Sequence, residues 1–352
     1  MFEPARVRAQ RLGQILRRAV GRSRTLKRGY RWLVARYREI PPETARLWAR
    51  LGGKNSRNTG IRAENIIWIF GSGRSGSTWL RSMMEDLDRH QAWEEPMVGR
   101  LFGEFLNQAK QVDLRRSDFI MANATRKGWI RSIRNFVLDC ASYTFPRVGD
   151  SDYLVVKEPN GSMGAPLLME ALPESRMILL IRDPRDIVSS QLDAARQGGW
   201  MYERKESDVW KQKALPDNDP DTFVRNRSRK YLQHAGNAKK AYEAHRGPKV
   251  LVRYEDLRTN TLETMKRIYS TLGIPVEEGE LARVVEKHSW ENVPEENKGD
   301  GKFYRKATPG GWREDLTPEQ AKTVERITAP LLKEFYPYDG GSQSPPQKLP
   351  LN

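Results

Sequence analysis

The chain has 352 residues, is 38% hydrophobic with ten tryptophans, and carries a formal net charge of +16. This length suits one large α/β domain or two small ones, and the apolar content argues against a disordered chain. No apolar run approaches the roughly 20 residues that span a bilayer, so we expect a soluble, cytoplasmic protein. Cys140 is the only cysteine, which excludes an intrachain disulfide. The four histidines lack metal-ligand spacing, so we predict no metal site.

The positive charge lies mostly in the first 60 residues. They hold 16 Lys and Arg against three acids, a net charge of +13, which leaves only +3 for the rest of the chain. Apolar residues at helical spacing from Leu12 to Val20 predict an amphipathic helix. We therefore expect residues 1 to 60 to form a basic helical arm and linker. Three interpretations stay open: a helix that is packed on the main domain or solvated, a peripheral contact with an anionic membrane or polyanion, and an organelle-targeting peptide.

From residue 65 onward, short apolar runs alternate with helical patterns. The predicted strands read NIIWIF from residue 65, YLVVK from 153, RMILLI from 176 and KVLVRY from 249. Strands that alternate with helices predict an α/β fold with ligands at the carboxyl ends of the strands. We expect a single P-loop-type domain over residues 61 to 338, with a central parallel sheet flanked by helices. Residues 339 to 352 are predicted to be a disordered tail.

Capping signals predict where several helices begin. Asp183 stands directly before a Pro and a helical pattern, so it is expected to cap a helix. Two capping boxes are predicted, one from Asn260 with Glu263 and one from Thr317 with Gln320.

The first predicted strand runs into the glycine-rich loop GSGRSGST. Gly71 and Gly76 have P-loop spacing and Thr78 closes the motif, but Ser77 stands where P-loop nucleotide hydrolases have a lysine. Backbone N–H groups at a helix N-terminus bind anions, and Arg74 adds a guanidinium. From these residues alone three alternatives stay open: a broken nucleotide-hydrolase loop, a structural turn without a ligand, and a loop for a different anion.

Four segments, taken in order, resemble a known family. GSGRSGSTWL is similar to the loop that binds the 5′-phosphosulfate in sulfotransferases that use 3′-phosphoadenosine 5′-phosphosulfate (PAPS). IRDPRDIVSS resembles the family's 3′-phosphate segment, and FYRKATPGGWRED resembles the late loop that closes over the nucleotide. VLVRYEDLRTNTLETMKRIYSTLGIP is similar to the strand and helix between them. The resemblance covers roughly residues 65 to 338 and implies an enzyme with PAPS as co-substrate and no metal.

The resemblance assigns residues to both ends of PAPS. The implied nucleotide site comprises Arg74, Ser75, Gly76, Ser77, Thr78, Trp79, Arg182, Ser190, Tyr254, Trp290, Arg305 and Lys306. Those expected on the 3′-phosphate are Arg182, Ser190, Arg305 and Lys306. Those expected near the adenine are Trp79, Tyr254 and Trp290, with core packing as the alternative for either tryptophan. One glycine loop cannot serve both the phosphosulfate and a doubly ionisable 3′-phosphate, so the second group of cations makes chemical sense.

The resemblance also implies the catalytic residues. Arg74 would face the sulfuryl and bridging oxygens, with Lys157 as a second cation there and with hydroxyl donors from the loop on the 5′-phosphate. Many cytosolic members have a histidine two residues after this lysine, but here the segment reads KEP, so the base must come from elsewhere. Glu95, 21 residues after Arg74, resembles the base of the protein-tyrosine sulfotransferase pattern. Glu94 and, more weakly, Glu158 are the alternatives.

Aromatic residues follow the predicted base. Trp93, Phe102 and Phe105 are expected to surround Glu95 and to raise the pKa of its carboxyl. The acceptor is expected to be a hydroxyl of a small molecule, glycan or lipid, bound by residues 93 to 135 and 197 to 230. In the second segment the aromatic residues that either stack on the acceptor or pack in a lid are Trp200, Tyr202 and Trp210.

Other functions compete with this interpretation. An ATP-dependent small-metabolite kinase on a P-loop fold is disfavoured by the missing lysine, and a protein-tyrosine sulfotransferase shares the catalytic pattern. A non-enzymatic binder that uses the arm on nucleic acid or membrane leaves the four motifs unexplained. Because the main domain carries little net charge, we predict no nucleic-acid partner.

Overall fold

The computed structural model describes residues 61–109, 126–196, 198–203 and 219–337. The predicted basic arm and the predicted C-terminal tail therefore lie outside the described residues.

A parallel sheet forms the centre of the domain. Its strands are β1 (Ile66–Gly71), β2 (His90–Glu94), β3 (Tyr153–Lys157), β4 (Arg176–Ile181) and β5 (Lys249–Arg253). They lie in the order β2-β3-β1-β4-β5, and every neighbouring pair is parallel. The central strand β1 is buried along its whole length, as its continuous apolar sequence predicts for a sheet covered on both faces. The predicted α/β fold with a central parallel sheet is confirmed.

Helices connect and cover the strands. In chain order they are α1 (Ser77–Glu85), α2 (Val98–Ala109), α3 (Arg126–Thr144), α4 (Ala165–Ala171), α5 (Pro184–Ala195), α6 (Trp200–Glu203), α7 (Pro220–Ala244), α8 (Tyr254–Thr259), α9 (Thr261–Thr271), α10 (Glu278–Lys287), α11 (Trp312–Asp315) and α12 (Pro318–Phe335). A 3-10 segment, Pro159–Gly164, follows β3. Within the described ranges, the apolar stretches of the helices are too short to cross a membrane.

The core lies in two layers, one on each face of the sheet. Alternate side chains of a strand point to opposite faces, so Trp68 and Phe70 join one hydrophobic cluster while Ile67 and Ile69 join the other. The first cluster includes residues of α3, α4, α7 and α12, and the second includes residues of α1, α9 and α10. Because all neighbouring strands are parallel, their carboxyl ends and the segments that follow them lie at the same edge of the sheet.

The helix starts agree with the capping signals at two of three places. The Asp183 side chain accepts a hydrogen bond from the second residue of α5, and Thr317 and Gln320 form the predicted capping box of α12. The box predicted from Asn260 is wrong, because the Asn260 side chain makes no cap hydrogen bond. The Glu263 carboxylate instead pairs with Lys266 at 2.9 Å.

Candidate active site

A cavity of about 1440 Å³ opens at the carboxyl ends of the strands, and each of the five strands contributes its last residue or a residue of the following segment to the wall. One small-molecule site usually occupies about 300 to 1,000 Å³, so this volume admits two ligands side by side. The predicted site residues that line the cavity are Arg74, Gly76, Ser77, Thr78, Trp79, Glu95, Lys157, Arg182, Ser190, Tyr254, Trp290, Arg305 and Lys306. Ser75 differs, because it is fully buried beneath the loop.

The glycine loop owes its shape to close backbone approaches. A Cβ atom on Gly71 would lie 2.1 Å from the carbonyl oxygen of Leu180 in β4. Gly76 caps α1 in the left-handed conformation, with φ of 90°, and a Cβ atom there would lie 2.5 Å from the ring of Tyr254. Both positions therefore require glycine. The result is a helix N-terminus whose free N–H groups border the cavity.

Arg74 turns toward the late loop and toward α5. Its Nε donates a hydrogen bond of 3.1 Å to Ser190 Oγ, and its Nη2 donates one of 2.8 Å to the carbonyl oxygen of Phe303. The guanidinium lies 4.8 Å from the ring centroid of Phe303 and 5.4 Å from that of Trp200. Burial, followed by the charge of Arg182, lowers the pKa of Arg74 to about 10. The side chain therefore stays charged at neutral pH, against a wall of rings.

Arg182 lies at the carboxyl end of β4 and continues this cationic wall. Its Nη1 donates a hydrogen bond of 3.1 Å to the carbonyl oxygen of Arg74, and its guanidinium lies 4.2 Å from the ring centroid of Tyr254. Its Nε is buried and has no hydrogen-bond partner among the described groups. A buried guanidinium donor without an acceptor is costly to the protein alone, and an anionic ligand would satisfy it.

Arg305 and Lys306 come from the late loop and share one carboxylate. Lys306 Nζ donates to Asp315 at 3.1 Å and to Glu314 at 2.9 Å. The Arg305 guanidinium forms an ion pair with Asp315 and donates a hydrogen bond of 3.0 Å to Ser189 Oγ. The buried Nε of Arg305 makes no hydrogen bond in the part of the chain that the structure describes, but it lies 3.5 Å from Asp300 Oδ1 and 3.8 Å from Asp193 Oδ2. The two cations of the late loop thus lie together and share the Asp315 carboxylate.

Aromatic side chains border the cavity beside the glycine loop. Trp79 is held by a hydrogen bond of 2.7 Å from its Nε1 to the carbonyl oxygen of His288, and its ring meets that of Tyr254 edge to face at 6.5 Å. Trp290 also lines the cavity, with Lys298 Nζ 5.2 Å from its ring centroid. These three rings offer flat surfaces of the kind on which a base stacks.

Lys157, at the end of β3, is the centre of a second group of polar side chains. Its side chain is 4% exposed. Its Nζ donates to Thr78 Oγ1 at 3.0 Å, pairs with Glu95 Oε1 at 2.9 Å and also pairs with Glu94. Asn160 Nδ2 donates to the other oxygen of Glu95 at 2.8 Å. Glu95 therefore has both carboxylate oxygens fixed, whereas Glu94 is more exposed, at 49% against 29%.

A strained turn carries Glu95 into the cavity. Glu95 and Met97 have positive φ angles of 44° and 63°, a region that is unfavourable for residues other than glycine. The fully buried Glu158 stabilises this turn, since its Oε2 accepts a hydrogen bond of 3.0 Å from the backbone N–H of Met97. Burial raises the pKa of Glu158 to about 8. Glu158 is not among the residues of the cavity wall.

The rings expected around Glu95 pack elsewhere. The ring centroids of Trp93 and Phe145 are 5.8 Å apart. Phe102 and Phe105 both pack on Trp129. The hydrogen-bond partners of Glu95 are polar side chains instead, so the predicted apolar pocket for the base does not form from these rings.

Sequence reasoning did not identify two residues of the site, and two of the aromatic residues that it proposed for the acceptor lie outside the described residues. Asn160, which holds Glu95, stands three residues after Lys157 at the end of a predicted strand, and that position was a usable signal. Phe303, two residues before Arg305 in the late loop, contacts Arg74 through its carbonyl group and its ring. Trp200 packs on Phe303 at 5.3 Å. The Tyr202 side chain and Trp210 lie outside the described residues.

The fold and the cavity define the class of the protein. A glycine loop at the central strand of a parallel sheet, with two groups of cations around one cavity, is typical of an α/β enzyme that binds a multiply charged nucleotide. A family model described as a sulfotransferase domain matches residues 64–336. The chain belongs to the sulfotransferase domain family, as its motifs predicted.

Individual relatives are distant. The chain is 28% identical over 199 residues to cytosolic sulfotransferase 16 of Arabidopsis thaliana, an alignment that covers 50% of this chain and 55% of that protein. It is 25% identical over 291 residues to cytosolic sulfotransferase 17 of the same plant, covering 73% of this chain and 81% of that one. Among solved structures, mouse sulfotransferase SULT7A1 complexed with PAP is 16% identical with a TM-score of 0.47, covering 78% of this chain and 86% of that chain.

Proposed function

We propose that the protein transfers the sulfuryl group of PAPS to a hydroxyl of a small-molecule, glycan or lipid acceptor. The observation that carries this proposal is that two adjoining groups of cations line one cavity. The first consists of the glycine loop and Lys157, and the second contains Arg182, Arg305 and Lys306. PAPS carries anions at both its 5′ and its 3′ positions, so it needs such a pair of sites.

The donor residues fit the two ends of PAPS. The helix N-terminus at Gly76, with Ser77 and Thr78, would bind the 5′-phosphate. The buried Nε of Arg182 is a donor that makes no hydrogen bond to a described residue, and a 3′-phosphate would supply an acceptor oxygen. The adenine would lie among the rings that border the loop.

Transfer would proceed by in-line displacement. The acceptor oxygen forms a bond to sulfur as the bond from sulfur to the bridging oxygen breaks, and the departing phosphate takes the electron pair. Lys157 and Arg74 stabilise the charge that develops on the bridging and sulfuryl oxygens. The hydroxyl proton passes to Glu95, which is a carboxylate already aligned by Lys157 and Asn160.

The choice of Glu95 as the base rests on its geometry. The carboxylates of Glu95 and Glu94 both border the cavity and are paired at both oxygens. Glu95 is the less exposed of the two, and Glu94 is also held by Arg81 at 3.1 Å. Glu158 stays beneath the turn that carries Glu95. A cytoplasmic location and a peripheral membrane contact through residues 1 to 60 stay predictions from the sequence, although both plant relatives are named cytosolic.

Thermal shift tests the donor assignment directly. Adenosine 3′,5′-bisphosphate at about 100 times its Kd should stabilise the native state by about 2.7 kcal/mol, which raises the melting temperature by a few degrees. ADP with magnesium serves as the control, because it lacks the 3′-phosphate. A larger shift with ADP and magnesium would favour the kinase alternative and would contradict the proposal.

A further inference from the structure

Glu158 is a buried carboxyl that the proposed reaction does not use. It follows Lys157 directly in the chain, yet its side chain is fully buried and lies outside the cavity wall. Acidic side chains are seldom fully buried, so the position of this one calls for a physical reason. Its contacts supply one, because they connect the donor side of the site with the turn that carries Glu95.

The backbone of Glu158 is fixed to the strand that leads into the glycine loop. Its N–H donates a hydrogen bond of 3.0 Å to the carbonyl oxygen of Ile69 in β1, and its carbonyl oxygen accepts one of 3.1 Å from the N–H of Gly161. Ser162 Oγ accepts a hydrogen bond of 2.9 Å from the N–H of Gly71, where the glycine loop begins. The segment of Glu158 is therefore held in place relative to the donor site.

The side chain of Glu158 reaches the turn that carries the proposed base. Its Oε2 accepts the hydrogen bond of 3.0 Å from the N–H of Met97, and both Glu95 and Met97 have positive φ angles. On the other side of the turn, the N–H of Glu95 donates to the carbonyl oxygen of Lys157 at 2.9 Å. A backbone in this conformation persists only where the surrounding structure holds it. The contact between Glu158 and Met97 is one of those that do so.

Glycines leave just enough room for this buried carboxyl. A Cβ atom on Gly161 would lie 1.8 Å from Oε1 of Glu158, and one on Gly99 would lie 2.2 Å from the carbonyl oxygen of Gly161. A Cβ atom on Gly164 would lie 2.0 Å from the carbonyl oxygen of Gly99. The start of α2 therefore packs directly on the backbone of the 3-10 segment, and the Glu158 side chain is enclosed between them.

We propose that Glu158 is a positioning residue for sulfuryl transfer, which holds the turn from Glu95 to Met97 and thereby sets the position of the base relative to the glycine loop. The inference rests on the proposed function, with Glu95 as the base, and adds to it a residue that lies outside the cavity. A misplacement of about 1 Å can cost on the order of a hundredfold in rate. Loss of the Glu158 side chain should therefore lower kcat and leave the nucleotide site intact.

Hydrogen exchange tests the structural step without turnover. In Glu158→Ala the N–H groups of residues 97 to 99 should exchange about tenfold faster than in wild type, because Met97 loses its acceptor. Burial raises the pKa of Glu158 to about 8, so at neutral pH the carboxyl is mostly protonated and an amide resembles it. Glu158→Gln should therefore exchange as wild type does. Mass spectrometry of peptides that span residues 94 to 101 measures the rates, and wild-type exchange in Glu158→Ala would overturn the proposal.

Kinetics test the catalytic step, with labelled PAPS as donor and with 4-methylphenol and 4-nitrophenol as acceptors. 4-Nitrophenol is much the more acidic, so its transfer depends less on a base. Glu158→Ala should lower kcat with 4-methylphenol by about tenfold to a hundredfold, and with 4-nitrophenol by less, at an unchanged KM for PAPS. Glu158→Gln should restore most of this loss. Equal losses with both phenols, or a loss in KM for PAPS alone, would indicate a merely structural role and overturn the proposal.

A double-mutant cycle tests whether the effect passes through the turn. Glycine adopts a positive φ without strain, so in the Met97→Gly background Glu158→Ala should cost less in kcat than it does in wild type. The same loss in both backgrounds would contradict the role assigned to this hydrogen bond.

The control for general destabilisation is Ile268→Ala. Ile268 is fully buried in the hydrophobic cluster on the other face of the sheet, so its truncation lowers stability without touching the turn. Well below its melting temperature this variant should keep the wild-type kcat and the wild-type exchange at residues 97 to 99. The exchange measurement decides the structural step whichever acceptors the protein takes. Failure of the proposed function would show separately, as no stabilisation of the wild type by adenosine 3′,5′-bisphosphate.

Discussion

The Nε of Arg74 donates a hydrogen bond of 3.1 Å to Oγ of Ser190, a residue 116 positions further along the chain. The sequence assigned these two side chains to opposite ends of one nucleotide, the sulfuryl end and the 3′-phosphate. In the structure they belong to one wall, which the late loop joins through the carbonyl oxygen of Phe303. Arg74 therefore connects the parts of the donor site.

Removal of this guanidinium should affect chemistry more than binding. Arg74→Ala is expected to lower kcat by about 10² to 10³, the usual effect of losing one stabiliser of developing charge. The affinity for adenosine 3′,5′-bisphosphate, measured by thermal shift, should fall much less, because Arg182, Arg305 and Lys306 stay in place. Arg196→Ala, at an exposed arginine after α5, is the matched control and should behave as wild type. Wild-type turnover in Arg74→Ala would remove this residue from catalysis.

Glu95→Gln should lower the rate of transfer without weakening the binding of PAPS. We expect kcat to fall by about 10² to 10⁴ because the proton acceptor is lost, with PAPS binding unchanged. Glu94→Gln is the matched comparison, since Glu94 also pairs with Lys157 but is more exposed. Steady-state kinetics with saturating PAPS measure both. A larger loss in Glu94→Gln than in Glu95→Gln would transfer the role of the base to Glu94.

Glu158 should make stability depend on pH. Burial raises its pKa from 4.5 to about 8 in the folded protein, so the folded state holds a proton that the unfolded chain releases. The stabilisation is complete below about pH 4.5 and is lost as the pH rises through about 8, and at 1.36 kcal/mol for each pKa unit it is on the order of 5 kcal/mol. Glu158→Gln does not titrate, so its melting temperature should rise relative to that of wild type between pH 5 and 9.

The exposed Glu286→Gln substitution is the control for that experiment. A melting temperature that changed with pH in the same way in both variants would show that the effect does not come from Glu158. A pH-independent difference in Glu158→Gln would show that the Glu158 carboxyl does not change its protonation on unfolding.

Gly76 should not tolerate even a methyl group. Gly76→Ala forces a positive φ on alanine and brings Cβ to 2.5 Å from the Tyr254 ring, so both stability and binding of the bisphosphate should fall. Gly236→Ala in α7 is the opposite case, because nothing lies within 4 Å of the added Cβ. Alanine there should stabilise the protein by about 0.5 to 1 kcal/mol. Chemical denaturation measures both changes. Equal effects of the two substitutions would contradict the role assigned to the loop conformation.

The strands differ in how far their sequences predict them. Four contain continuous apolar runs, because both their faces are buried, and these were predicted to within one residue at each end. The strand β2 was missed because HQAWE contains no continuous apolar run, in keeping with its partial burial. Its position matters, since it delivers Glu95 to the cavity. The capping box at Asn260 failed because Asn260 also ends helix α8, whose geometry fixes its backbone.

Motifs located the candidate site residues but not the direction of their side chains. That thirteen of the predicted residues line one cavity follows from strand order, which the motifs imply. The hydrogen bond between Arg74 and Ser190 depends on contacts between residues far apart in the chain, which local spacing does not encode. The same holds for the polar surroundings of Glu95.

The carboxylate of Asp315 gives the late loop a property that its two cations alone would not have. Under the proposed function, a phosphate that reaches Arg305 and Lys306 would meet cations that Asp315 and Glu314 already pair with, so binding would exchange one anion for another. The free energy of binding would then be the difference between the interaction of the cations with the phosphate and their interaction with the carboxylates. Release of the nucleotide would restore the ion pairs with the carboxylates. Under the proposed function, an internal competitor of this kind would limit how tightly the product is held, and would thereby help the site to empty after each turnover.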